Sequence, residues 1–85
     1  MGEKLMLQNV TPRNMRVLKK MGVLTTDTNE YLNVMSDIYT DEKKLRELCD
    51  TIFVNPPEDL ENVDLAEVEK GVKGFFRKVF GGSPN

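Results

Sequence analysis

The chain contains no histidine and no tryptophan, and a single cysteine, Cys49, in 85 residues. Each shortage closes a route. Without histidine there is no imidazole base, no zinc–histidine site and no haem histidine. One thiol forms no internal disulfide, and a zinc cluster needs more ligands than one thiolate. A lone cysteine fits a reducing cytosol better than secretion. Long apolar runs are missing too. With 39% hydrophobic and 31% charged residues the chain can fold but is too polar to span a membrane. The stretch Met1-Gly2-Glu3-Lys4-Leu5-Met6-Leu7 lacks the apolar region of a signal peptide. Gly2 is placed for myristoylation, but Met6 stands where that signal wants Ser or Thr. Asn9-Val10-Thr11 is a formal glycosylation triplet that means nothing without secretion. The length fits one small domain.

What is present is a segregated charge. Residues 1–23 hold five bases and one acid, residues 24–67 three bases and twelve acids, and residues 68–85 four bases and one acid. Basic ends around an acidic middle have two readings. They attract each other within one bundle, or they serve contact between subunits or with a charged protein.

Apolar spacing and cap residues predict four helices. The first covers 12–21, with Thr11 as N-cap, Pro12 at the first position and Gly22 as the stop. Met15, Val17, Leu18 and Met21 share one side; Arg13, Arg16, Lys19 and Lys20 share the other. The second covers about 28–39 behind Thr26 or Asp27, with Tyr31, Val34, Met35, Ile38 and Tyr39 as its apolar face. The third, about 41–53, opens at Thr40 or Asp41 and carries Leu45, Leu48, Cys49 and Ile52. Asn55-Pro56-Pro57 ends it. The last, about 65–80, opens at Asp64, where Glu67 can complete a capping box and Val63 can staple against Val68. Residues 3–10 are too short for a helix and read as an extended arm or lone strand. With no other strand in sight, a strand there implies pairing with another chain. The expected fold is therefore all-α: a small bundle of about four helices, with an arm over 1–10, a helical domain over 11–80 and a flexible tail over 81–85.

Chemistry is sparse. Cys49 has no histidine partner and lies in an apolar stripe, which marks a buried structural thiol. The acidic pairs Asp41/Glu42, Glu58/Asp59 and Glu67/Glu69 sit at helix starts or in a linker, where capping and solvation explain them. The stretch from Asp59 to Glu67 lacks the alternating acids and central glycine of a calcium loop. Gly71-Val72-Lys73-Gly74 matches a GxxG loop, and Lys73 to Phe80 echoes an RNA-recognition signature, but both lack the strands those motifs need. A helix-turn-helix needs a basic second helix, and here that helix carries Glu30 and Asp37 and no base. No catalytic, cofactor or metal residues are expected.

The last helix is oversupplied with aromatics. Three of four phenylalanines lie between Phe75 and Phe80, and the full stripe spans an arc of roughly 140°. Gly71 and Gly74, on its polar side, each weaken a helix by about 1 kcal/mol relative to alanine. Two readings follow. The stripe packs wholly inside the domain; or Val72, Phe75, Phe76, Val79 and Phe80 form part of a partner-binding face, which the glycines let a partner backbone approach. A Phe-rich basic helix can also lie on a membrane surface.

Two stretches and a tail carry a family resemblance: Leu7-Gln8-Asn9-Val10-Thr11-Pro12-Arg13-Asn14 with Lys19-Lys20-Met21-Gly22, then the acidic linker before Glu69-Lys70-Gly71-Val72-Lys73-Gly74-Phe75-Phe76, and the short Gly/Ser/Pro end. Over residues 7–85 the chain resembles the small tail assembly chaperones of long-tailed bacteriophages. The resemblance implies a mostly helical, non-enzymatic protein of the host cytoplasm. It implies partners too: the tape-measure protein, tail-tube subunits and further copies of itself, with no small-molecule substrate. The alternative is a small nucleic-acid-binding regulator using Arg13, Arg16, Lys19 and Lys20.

Overall fold

In the computed structural model, which describes residues 4–81, four α-helices pack into one all-α domain. They are α1 (Pro12–Met21), α2 (Thr28–Tyr39), α3 (Glu42–Ile52) and α4 (Leu65–Phe76), followed by a π-helical turn, Arg77–Gly81. The expected tail lies outside the described residues apart from Gly81, as do the first three residues of the arm.

Caps set the boundaries. The side chains of Thr11, Asp27, Asp41 and Asp64 accept backbone N–H bonds in the first turns of α1 to α4. These satisfy donors that a helix start otherwise leaves without partners. Gly22 ends α1 at φ 87°, in the left-handed region that favours glycine. The capping box, however, belongs to α1 rather than α4. There Asn14 bonds back to Thr11, whereas the Glu67 carboxylate pairs with Lys70 at 3.4 Å.

α3 is the hub, with α1, α2 and α4 all packed on it. Its Leu48, Cys49 and Ile52 are fully buried, beside Leu18 of α1, Ile38 of α2 and Val68, Val72 and Phe75 of α4. The irregular 54–64 linker is held down in two ways. Arg46 on α3 donates to the carbonyls of Pro57 (3.1 Å) and Glu58 (2.9 Å), and Leu60 enters the core. Asp59 accepts from Glu61 and Asn62, which holds its carboxyl below the ordinary carboxylate range, Asn62's side chain contributing most.

The arm is corrected by the structure: it pairs within its own chain. Leu7 and Phe53 form an isolated antiparallel bridge, flanked by Gln8 N–H to the Ile52 carbonyl (2.9 Å) and Val54 N–H to the Met6 carbonyl (2.7 Å). The arm's partner is Phe53, which the sequence places inside the third helix. It is α3's C-cap with an extended backbone (φ −111°, ψ 141°), so α3 stops one residue short of it and leaves an edge for the arm. The Lys78 ammonium donates to the Gln8 carbonyl at 2.8 Å and ties the other side of the arm to the π turn.

Two features of the last helix also differ from expectation. The α geometry ends at Phe76, not at 80. A π turn bonds i to i+5, so each residue advances by less than the roughly 100° of an α-helix. Phe80 accordingly leaves the continuous stripe. The two glycines, in turn, face the chain's own core and arm. A methyl group at Gly71 would lie 2.3 Å from Cζ of Phe53, and one at Gly74 would lie 3.1 Å from Cδ1 of Leu7. The close approach they permit is intramolecular.

Candidate functional site: an apolar groove between α1 and the end of α4

The five stripe residues divide. Val72 and Phe75 are 1% and 0% exposed and complete the domain's own core. In this fold neither offers a surface to a partner. Phe76 and Val79 are half-buried, and Phe80 is 69% exposed. The aromatics form a run from the interior to the surface. Tyr31 of α2 meets Phe76 edge to face at 6.3 Å between ring centres, and Phe76 meets Phe80 in the same way at 6.1 Å.

This run forms one wall of an open groove of about 480 Å³. Phe76 and Phe80 face Met15 of α1, and Val23, Leu24, Thr25 and Thr26 of the α1–α2 loop make the floor and end. The α1 stop at Gly22 produces this geometry, because it turns Val23 into the core and leaves Leu24 half-buried beside Met15. The lining holds two threonine hydroxyls and no ionisable side chain. Such a groove sorts partners by apolar shape. Sequence periodicity located Met15, Phe76 and Phe80. Leu24 and the loop it sits in carried no periodic signal.

The four bases of α1 separate onto two flanks. Arg13 lines a polar groove with Lys43, Arg46, Glu47 and Asp50 of α3, and Lys20 lines another with Asp37 of α2 and Lys44 and Glu47 of α3. Lys19 lies one turn beyond Met15 on α1, and Arg16 lies between the two flanks. Bases and carboxylates alternate on the Arg13 and Lys20 flank, so it presents no continuous cationic strip to a phosphate backbone. The only ion pairs among the described residues are Lys70–Glu67 and Lys73–Glu69 at 3.9 Å, both within α4. Only the local Lys70–Glu67 pair joins a basic end to the acidic middle among these residues, and no ion pair links α1 to α2 or α3.

The buried polar groups have structural roles. Burial pushes the Cys49 thiol up to about 11, with Asp50 adding to the shift. The Tyr39 hydroxyl donates to Glu69, and desolvation, the bond and that charge all raise its pKa. Desolvation raises Tyr31 as well, with Glu69 contributing. Every buried side-chain N or O among the described residues has a hydrogen-bond partner, and none of these residues group as a metal-binding cluster.

The thiol gives a pH prediction. Its pKa rises on folding, from 9.0 to about 11, so the folded state holds the proton more tightly. That contribution is complete below about pH 9 and is lost as pH climbs through about 11. The urea midpoint should therefore be lower at pH 10.5 than at 8.5, and the drop should shrink in Cys49→Ala. An equal drop in the variant would remove the thiol as its source. Both tyrosines push in the same direction, so part of the drop should survive.

Comparison with protein-family models, curated proteins and solved structures gives no match. Among the described residues no helix is long and apolar enough to cross a membrane.

Proposed function

We propose that this chain is a non-enzymatic protein-binding module, an assembly chaperone or adaptor that receives an apolar partner segment between α1 and the end of α4. The observation that carries the reading is Phe80. It extends the half-buried aromatic run onto the surface at 69% exposure and lines a groove free of ionisable groups. It lies outside the buried core and meets only half-buried Phe76 among the aromatics, so most of its ring is free to anchor another protein. A helix laid in a groove is the recognition mode that suits such a shape.

Within that class, the resemblance to phage tail assembly chaperones names the candidate partners: tape-measure protein, tail-tube subunits and further copies of the chain, met in the host cytoplasm. The test is co-expression with a phage tape-measure protein. The wild-type chain should raise the soluble fraction of that protein, and Phe80→Ser, which alters no buried contact of the core, should lose the effect. Equal solubility with both forms sinks the reading. The nucleic-acid alternative rests on Arg13, Arg16, Lys19 and Lys20 and predicts affinity that falls steeply with salt. Glu47, Asp50 and Asp37 interrupt the bases Arg13, Lys20, Lys43, Lys44 and Arg46 on that flank, which weighs against a continuous phosphate-binding strip.

A further inference from the structure

We propose that the seat of the N-terminal arm is a strand-binding site, filled in one molecule by its own arm and in a dimer by the arm of a second copy. This surface is separate from the apolar groove, so copies can associate through it with the groove empty. The seat is built to hold extended backbone. Asn55 clamps two residues of the arm at once: its Oδ1 accepts the Met6 N–H at 2.8 Å and its Nδ2 donates to the Lys4 carbonyl at 2.9 Å. The bonds from Val54 N–H to Met6 and from Gln8 N–H to Ile52 continue the ladder. The seat reads side chains as well. The Gln8 amide donates to the Asp50 and Phe53 carbonyls, both at 2.9 Å, where α3 runs out of internal donors. Leu7 packs over the bare backbone of Gly74, its Cδ1 3.1 Å from where a methyl group would stand. Leu5 and Leu7 are half-buried against the core, and Met6 between them is 59% exposed. The ligand is therefore an extended Leu-x-Leu-Gln segment, and the chain itself carries one.

The connection to α1 lets that segment leave without disturbing the rest. The hydrogen bonds of residues 4–8 run to residues 50–55 and to Lys78, and none runs to α1. Asn9, Val10 and Thr11 are exposed, and no hydrogen bond joins Asn9 or Val10 to another described residue. Pro12 keeps Thr11 extended (φ −128°, ψ 161°), so the hinge is not drawn into the first turn of α1. An arm turned outward at this hinge remakes every bond in a second copy's seat. Exchange forfeits only the advantage of being tethered, an effective concentration of about a millimolar for a short connection. Reciprocal exchange closes a two-fold dimer.

The test uses the full chain in two forms, Met6→Cys and Val54→Cys. The two positions lie beside each other across the ladder and are 59% and 61% exposed, whereas Cys49 is buried. The double variant in one chain is the control and should close an internal disulfide on mild oxidation. Mixed in equal amounts, the two single variants should form 6–54 links between chains, several-fold more than the 6–6 and 54–54 links together. Their yield should rise as the protein approaches about a millimolar. Equal shares are the result of random collision and overturn the proposal, as does a mixture that forms no links between chains. Removing Asn9 and Val10 shortens the hinge so that the arm no longer reaches its own seat. Light scattering should then find a dimer at about a tenth of a millimolar, far below the tethered concentration. Adding Asn55→Ala should return that dimer to monomer. A shortened chain that stays folded and monomeric overturns the exchange. A dimer that Phe80→Ser dissolves, without 6–54 links, belongs to the groove and also overturns it, leaving the protein-binding reading intact.

Discussion

Gly71→Ala should destabilise the domain by about 3 kcal/mol, lowering its Tm by roughly 15 °C. Judged by local helix propensity the substitution should help, since alanine in a helix interior is favoured over glycine by about 1 kcal/mol. Packing reverses the sign. The new methyl would lie 2.3 Å from Cζ and 2.4 Å from Cε1 of Phe53. That ring has little room to retreat: it is 1% exposed, and its backbone is pinned by the bridge to Leu7 and the bond from its own N–H to the Cys49 carbonyl. Either the ring leaves its rotamer or α4 moves off α3, and both open the core. Gly74→Ala is the control. Its methyl would meet only Cδ1 of Leu7 at 3.1 Å, at the end of a side chain that can shift. Chemical denaturation should place Gly74→Ala within about 1 kcal/mol of wild type. Adding Phe53→Leu to Gly71→Ala should recover part of the loss, because the smaller side chain makes room. If Gly71→Ala is as stable as wild type, the Phe53 packing described here is wrong.

The contrast between the two glycines shows where sequence reasoning reached and where it stopped. Helices were readable because their signals are local. Thr11, Asp41 and Asp64 precede apolar spacing of the right period, and Gly22 follows it, so the helix starts and the end of α1 fall within a residue or two, while α4 stops four residues early where its pitch changes. The all-α class followed from the same signals. The roles of Gly71 and Gly74 depend on Phe53 and Leu7, which are distant in sequence and join them only through the fold. Phe53 was masked for the same reason: its apolar character fits the end of the α3 stripe, but its backbone is extended and pairs with the arm. At the candidate site, periodicity grouped Val72, Phe75, Phe76, Val79 and Phe80 on one face. It could not divide them into core and surface, because the division depends on what α3 covers and on the change of pitch after Phe76.

Asn14→Ala should remove about 2–3 kcal/mol, more than the loss of an ordinary cap, because one side chain serves two helix ends. Its Oδ1 accepts the Thr11 N–H at 2.8 Å and the Thr11 hydroxyl, completing the reciprocal cap at the start of α1. Its Nδ2 donates to the Thr51 carbonyl at 3.0 Å, in the last turn of α3. Carbonyls in a last turn have no partner within their helix, and Asn14 is only 7% exposed, so water cannot readily replace it. Alanine would leave the Thr11 donors and the Thr51 acceptor without partners and loosen α1 from α3. Thr11→Ala provides the comparison: it breaks the cap but keeps the bond to Thr51, so it should cost about 1 kcal/mol. The double variant should lose less than the sum of the two, since the cap can be lost only once. Equilibrium unfolding in urea measures all three. If Asn14→Ala costs no more than Thr11→Ala, the bond to Thr51 contributes nothing to the α1–α3 junction. Because α1 supplies Met15, that junction also fixes one wall of the groove. Asn14→Ala should then weaken partner binding through a residue that no partner touches, and Thr11→Ala should weaken it less.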